Sequence, residues 1–308
     1  MKGSSSLAGL FLIFLTGLPA LSQEANLSYR LAEDQRYFLD IDIQQNTLSE
    51  SVNSSEINLY SKLLVEFRVD SLDAYGLYHM EVVYRDLLLS MLSPGMSIDI
   101  NSQSGQNRML SLMMDSLLNR PFHVSMKENG ELHKLSGLKE VFQDLTRVST
   151  GDSTRQGMIL NTLEEAYGPN AFQSYFNLFV SYFPVIQPIK NWTRDLTYYF
   201  NTKAVQMVNR YFLSKTSGER IIIQGMGMLN SVEEFREEIS LGEVSSTVSG
   251  SQTYDFQVDR ESGWLVQCVS RQRVQIETTI IRSNIYPAGL SIPSYTETLF
   301  EVKGYRKP

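Results

Sequence analysis

The chain has 308 residues, 42% of them hydrophobic, and 34 acidic against 27 basic side chains give a formal charge of −7. Net acidity without a basic run argues against nucleic acid or an anionic membrane surface as partner. The single cysteine, Cys268, excludes an internal disulfide, so a packed core must hold the fold.

At the N-terminus, Lys2 precedes an apolar stretch from Leu7 to Leu21, and Ala20-Leu21-Ser22 sets small residues ahead of Gln23. That order is the layout of a cleaved secretory signal peptide over residues 1–22. The apolar run is about 15 residues, whereas a spanning helix needs about 20. The expectation is a periplasmic or secreted protein of residues 23–308, one β-rich domain without a transmembrane segment after cleavage.

Alternation marks the first strands. Leu39, Ile41 and Ile43 fall on one side of Phe38, Asp40 and Asp42, the period of a half-buried strand. The polar stretch 44–58 reads as an exposed edge strand or a loop. Leu63, Val65, Phe67 and Val69 alternate next, and Asp73-Ala74-Tyr75-Gly76 punctuates a turn. Tyr78, Met80, Val82 and Tyr84 then alternate with His79, Glu81, Val83 and Arg85, which predicts a long antiparallel pair.

After Pro94-Gly95, Met109, Leu112, Met113, Leu117 and Leu118 recur at helical spacing and stop before Pro121. Residues 122–135 read as a hairpin about Asn129-Gly130, two residues that tolerate positive φ. A helical block follows over 137–183, its last helix running from Ala171 to Tyr182. Strands return over 192–305, with candidates at 196–200, 205–213, 220–229, 253–258, 264–281 and 295–305. Strands, helices, strands is the order of an α+β fold, predominantly antiparallel β: a large curved sheet or half-barrel with a central helical block packed against it.

Familiar catalytic chemistries find no motif. His79, His123 and His133 show no metal-ligand spacing, and no GxSxG, P-loop or GxGxxG occurs. A two-residue turn would pair Met126 with His133 and set His123 opposite Ser136. The two hairpin histidines then stand about 10 Å apart at ~3.3 Å per residue, too far for one ion. Cys268 sits in strand pattern as a small buried side chain. The carboxylate pairs Asp40/Asp42, Glu164/Glu165 and Glu233/Glu234 read as solvated surface. No enzyme, no metal and no cofactor is expected.

Phe172, Tyr175, Phe176, Phe179 and Tyr182, with Phe183, recur at helical spacing. Either they fill the hollow of the sheet as core, or helix and sheet enclose a cavity for a lipid or other apolar ligand. These five are the candidate ligand-binding residues.

The order of features resembles an uncharacterised family of exported Bacteroidetes proteins. The residues that carry it are the strand pair 63–69 and 77–85, and the hairpin Arg120-Pro-Phe-His-Val-Ser-Met-Lys-Glu-Asn-Gly-Glu-Leu. Phe183-Pro184, with Pro188 and Trp192 after it, and Glu261-Ser262-Gly263-Trp264-Leu265 complete the series. Lys190-Asn191 stands where the family has Gly-Asp, and Trp264 where leucine is common. The resemblance implies no catalytic residues. Its architecture is similar to lipoprotein-carrier half-barrels, in which a curved sheet wraps helices. The resulting expectation is a non-catalytic envelope protein that binds an apolar ligand. The alternative is a structural or assembly factor that meets another envelope protein through sheet edges.

Overall fold

Alternating apolar residues across long strands generate one antiparallel sheet, which the computed structural model describes over residues 27–50, 55–101, 108–148, 154–186, 190–200, 203–239 and 242–307. The expected signal segment, 1–22, lies outside the described residues.

The first group of strands is β1 (Arg36–Ser49), β2 (Ser55–Leu72), β3 (Leu77–Ser93) and β4 (Met96–Asn101). Helix α1 (Arg108–Leu117) leads to the hairpin β5 (Phe122–Lys127) and β6 (Leu132–Ser136). Three helices follow: α2 (Leu138–Val148), α3 (Thr154–Tyr167) and α4 (Pro169–Phe179). The chain returns to strands with β7 (Asn191–Phe200), β8 (Lys203–Ser217), β9 (Arg220–Asn230) and β10 (Phe235–Ile239). It finishes with β11 (Gly242–Asp259), β12 (Leu265–Arg282) and β13 (Ser291–Lys307).

The sheet runs β6-β5-β3-β2-β1-β13-β12-β11-β9-β8-β7, with β4 beside β3 and β10 beside β11. The first and last long strands are neighbours, Arg36 opposite Lys307 and Ser49 opposite Ser294. The sheet curves so far that α4 packs against both its ends, β6 and β7. Predominantly antiparallel β structure is therefore what the alternation produces.

The predicted β2–β3 pair forms as read. Leu63, Val65, Phe67 and Val69 are buried from one strand, and Tyr78, Met80, Val82 and Tyr84 from the other. Its turn is fixed by Asp73, whose Oδ1 accepts the N–H groups of Tyr75 (2.8 Å) and Leu77 (3.0 Å).

Four expectations are corrected. Residues 44–49 and 55–58 are neither edge nor loop, because they prolong β1 and β2 in the middle of the sheet. The hairpin loop is one residue longer than read: Gly130 N–H bonds Lys127 O and Lys127 N–H bonds Glu131 O. A bulge then sets Met126 opposite Leu132 rather than His133, while His123 stays opposite Ser136. Helix α4 ends at Phe179, so Tyr182 and Phe183 lie in the turn beyond it. Finally, the strand expected over 253–258 already starts at Gly242, where Ser-, Thr- and Gly-rich sequence offered little apolar alternation, and the short charged β10 pairs beside it.

Candidate functional site

Helix α4 begins with Pro169, whose fixed φ suits a first helical turn, after an extended Gly168. Its aromatic spacing aims rings at the inner face of several strands. Phe172 meets Phe122 of β5 edge-on at 5.0 Å, and also Tyr84 and Phe67 at 6.4 Å. Phe176 meets Phe67 at 6.5 Å, and Phe179 meets Phe300 of β13 at 5.5 Å. Tyr182, past the helix, lies 4.8 Å from Phe256 of β11. Each such ring pair contributes about 0.5–1.5 kcal/mol beyond area burial. Tyr175 is half-buried and donates to Ala166 O at 3.1 Å. Burial pushes the phenols of Tyr175 and Tyr182 well above the usual tyrosine range.

The same segment covers the free edge of β7. Tyr199 N–H donates to Ser174 Oγ (2.9 Å), and Asn177 Nδ2 donates to Thr197 O (2.7 Å). Trp192 Nε1 donates to Tyr182 O (2.7 Å), and Arg194 Nη1 to Phe183 O (2.8 Å). On the other side, Ser181 Oγ donates to Gly130 O (2.7 Å) and Tyr29 OH to Val180 O (2.9 Å). Gly130 is required twice over: its φ is +82°, and a Cβ would fall 2.1 Å from Val180 O.

A belt of amides crosses the inner face beyond the aromatic cluster. Strand registers place Asn209, Gly227, Gln252, Gln272, Thr298 and Gln45 in one transverse row. Gln272 Nε2 donates to Gln252 Oε1 (3.1 Å), and Gln252 Nε2 to Asn209 Oδ1 (2.9 Å). Asn209 Nδ2 then donates to the hydroxyls of Tyr211 (2.9 Å) and Tyr254 (3.2 Å). Tyr198 faces the belt: burial lifts its phenol to about 12, although a hydrogen bond with Gln272 pulls the other way. Beside the belt, the hydroxyl of fully buried Ser270 has no partner. These strand glutamines carry no period-two apolar signal, and only the register assembles them.

Past the belt the inner face opens. Ile57, Leu59, Met91, Ile276 and Ile292 are only half-buried there, and Leu59, Met91 and Ile276 pack on the edge of the core. Among the described residues, these side chains leave apolar surface accessible at this end of the inner face.

The opposite, solvent face carries a separate cleft of about 690 Å³ crossing β12, β13, β1, β2 and β3. Tyr60, Asn46, Asn58, Arg271 and Glu297 contribute to its lining. Outward positions along β1 run Phe38, Asp40, Asp42, Gln44, Asn46 and Leu48, polar over the middle four.

The other residues singled out from sequence do not converge. His79 Nε2 lies 3.0 Å from Asp73 Oδ2 at a turn, and His123 and His133 are exposed on different registers. Among the described residues no group of three or more metal-ligating side chains gathers. Asp42 accepts from Tyr60 (2.8 Å) and Asp40 lies 3.4 Å from Lys62 Nζ. Cys268 is fully buried, and burial pushes its thiol up. No helix among the described residues is long and apolar enough to cross a membrane.

A family model described as a family of unknown function (DUF6263) matches residues 75–265. No curated protein matches the sequence. Among solved structures, one on lipid–protein interactions in lipovitellin aligns with 91% of this chain at 9% identity and a TM-score of 0.52. The chain spans 26% of that protein's length, and the likeness shows a shared fold alone. An outer-membrane channel from Pseudomonas putida F1 aligns over 90% of this chain and 97% of its own, at 8% identity and a TM-score of 0.21. A lipoprotein-sorting protein domain from Vibrio parahaemolyticus aligns over 88% and 85%, at 7% identity and a TM-score of 0.14. Scores that low carry no argument.

Proposed function

We propose, from the premise that this chain belongs to the DUF6263 family of unknown function, that it is a non-catalytic exported envelope protein holding an apolar or lipid-like ligand in the hollow of its curved sheet. The observation that carries the reading is the half-buried apolar end of the inner face, where Ile57, Leu59, Met91, Ile276 and Ile292 lie beyond the amide belt. An acyl chain laid there would reach toward the aromatic wall of Phe172, Tyr175, Phe176, Phe179 and Tyr182. Removing apolar surface from water stabilises such a complex by about 25 cal/mol per Å² before ordering costs. The lipovitellin structure, described for its lipid–protein interactions, supports the reading through shared fold.

The sheet-edge alternative gathers less support. Helix α4 covers the β7 edge, β6 and β10 are five residues each, and β10 carries Arg236, Glu237 and Glu238.

Native mass spectrometry of the protein purified from its own envelope fraction tests the proposal. A bound mass of a few hundred daltons, lost on organic extraction and reduced by Ile276→Arg, is the expected result. A bare chain that also fails to bind fatty acids or phospholipids in vitro would overturn it.

A further inference from the structure

We infer that the cleft on the solvent face is a second binding site, one for a short oligosaccharide. Its floor is the middle of the sheet, where every strand is paired on both sides, so no backbone edge is free to add a peptide strand. Recognition there falls to side chains alone.

Those side chains form two transverse rows. In one, Arg271, Gln44 and Tyr60 follow one another at successive strands, joined through Leu299. In the other, Arg273, Glu297, Asn46 and Asn58 do the same. Five strands at about 4.8 Å spacing span about 19 Å. The repeat of a β-1,4-linked pyranose chain is close to that spacing, so successive sugars meet successive strands.

The chemistry suits a polyhydroxylated ligand. Carboxylate, carboxamide and guanidinium groups are planar and take two neighbouring sugar hydroxyls at once. Several are already held in place: Asn46 Nδ2 bonds Asn58 Oδ1 (2.9 Å) and Glu56 Oε1 (2.6 Å). Arg273 pairs with Glu297 (2.9 Å), and Tyr60 is tethered to Asp42 (2.8 Å). The tether fixes a partly exposed phenol ring, a face for the C–H side of a pyranose. Arg271 makes no ion pair among the described residues and is free to take a ligand hydroxyl or carboxylate. Such pre-ordered polar groups lower the ordering cost of binding.

Titration calorimetry of the full chain with chitotetraose, cellotetraose and tetragalacturonate tests the site, with Ser-Gly-Ala-Gly peptide as the competing class. At least one saccharide should bind saturably with Kd in the millimolar range or tighter. Tyr60→Ala and Arg271→Ala should each weaken it about fivefold or more, and Tyr60→Phe less than Tyr60→Ala. Unchanged thermal unfolding of these surface variants keeps the comparison clean. No saccharide binding at about 10 mM, peptide binding in its place, or affinity unchanged in either alanine variant would overturn the inference.

Discussion

Gly227→Ala tests the amide belt most directly. In an ordinary strand this change stabilises by about 0.5–1 kcal/mol, since glycine loses more freedom on folding. Here the new Cβ would stand 2.0 Å from Asn209 Oδ1 and 2.9 Å from Gln252 Nε2. Both side chains are fully or almost fully buried, so neither can swing into solvent. Forcing a methyl into a packed interior costs about 1–3 kcal/mol. Displacing Asn209 breaks its bond with Gln252 and leaves a buried amide unsatisfied, about 1–3 kcal/mol more. The net expectation is destabilisation of about 1–5 kcal/mol, or on the order of 2–10 °C in Tm for a domain of this size. Scanning calorimetry of both proteins at one pH reads it. Asn209→Ala in the same background should lose less than the two single losses added, because it removes the clashing atom. A Gly227→Ala protein that melts at or above the parent would refute the belt as a packed, bonded unit.

Gly157, exposed in α3 with nothing within 4 Å of its Cβ position, should behave oppositely. Gly157→Ala should stabilise by about 0.5–1 kcal/mol in urea unfolding. Ser174→Ala should unpair Tyr199 N–H, and hydrogen exchange should quicken in the β7 peptide that contains it while β12 stays protected. Stability should also decline with alkali. Burial raises the Cys268 thiol, so above the ordinary thiol pKa of about 8.5 only the unfolded chain ionises there. The unfolded state then binds fewer protons, and unfolding becomes easier as pH rises. Buried Tyr182, Tyr211 and Tyr254 add the same effect above about 10. Urea midpoints should fall from pH 8 to 10, and Cys268→Ala should remove the earlier part of the fall.

The fold was legible wherever burial follows a local period. The alternation of Leu63–Val69 against Tyr78–Tyr84 reports a face that is buried along its whole length. Residues 242–252 gave no such signal, because Ser245, Ser246 and Gln252 are buried polar groups whose partners come from a neighbouring loop and other strands. The aromatic run overshot the end of α4 for a related reason. Tyr182 and Phe183 keep helical spacing but are buried in a turn between the two ends of the sheet. Phe172, Phe176, Phe179 and Tyr182 meet rings of the inner face while Tyr175 bonds Ala166, and the belt, the half-buried apolar end and the outer cleft were silent in the sequence. Each is a row across strands, and rows exist only once the register is set.

The pairing of β1 with β13 also orders events in time. Residue 36 cannot find its partner at residue 307 until the chain between them has been made, so β1 waits for β13 to complete the middle of the sheet. Until then β1 and β12 each present a long unpaired flank, β1 against β13 over fourteen positions. Contacts this distant in sequence slow folding and prolong exposure to aggregation. A chain truncated before Ser291 would keep most of its apolar interior but would split the sheet at its centre, trading one continuous surface for two open seams.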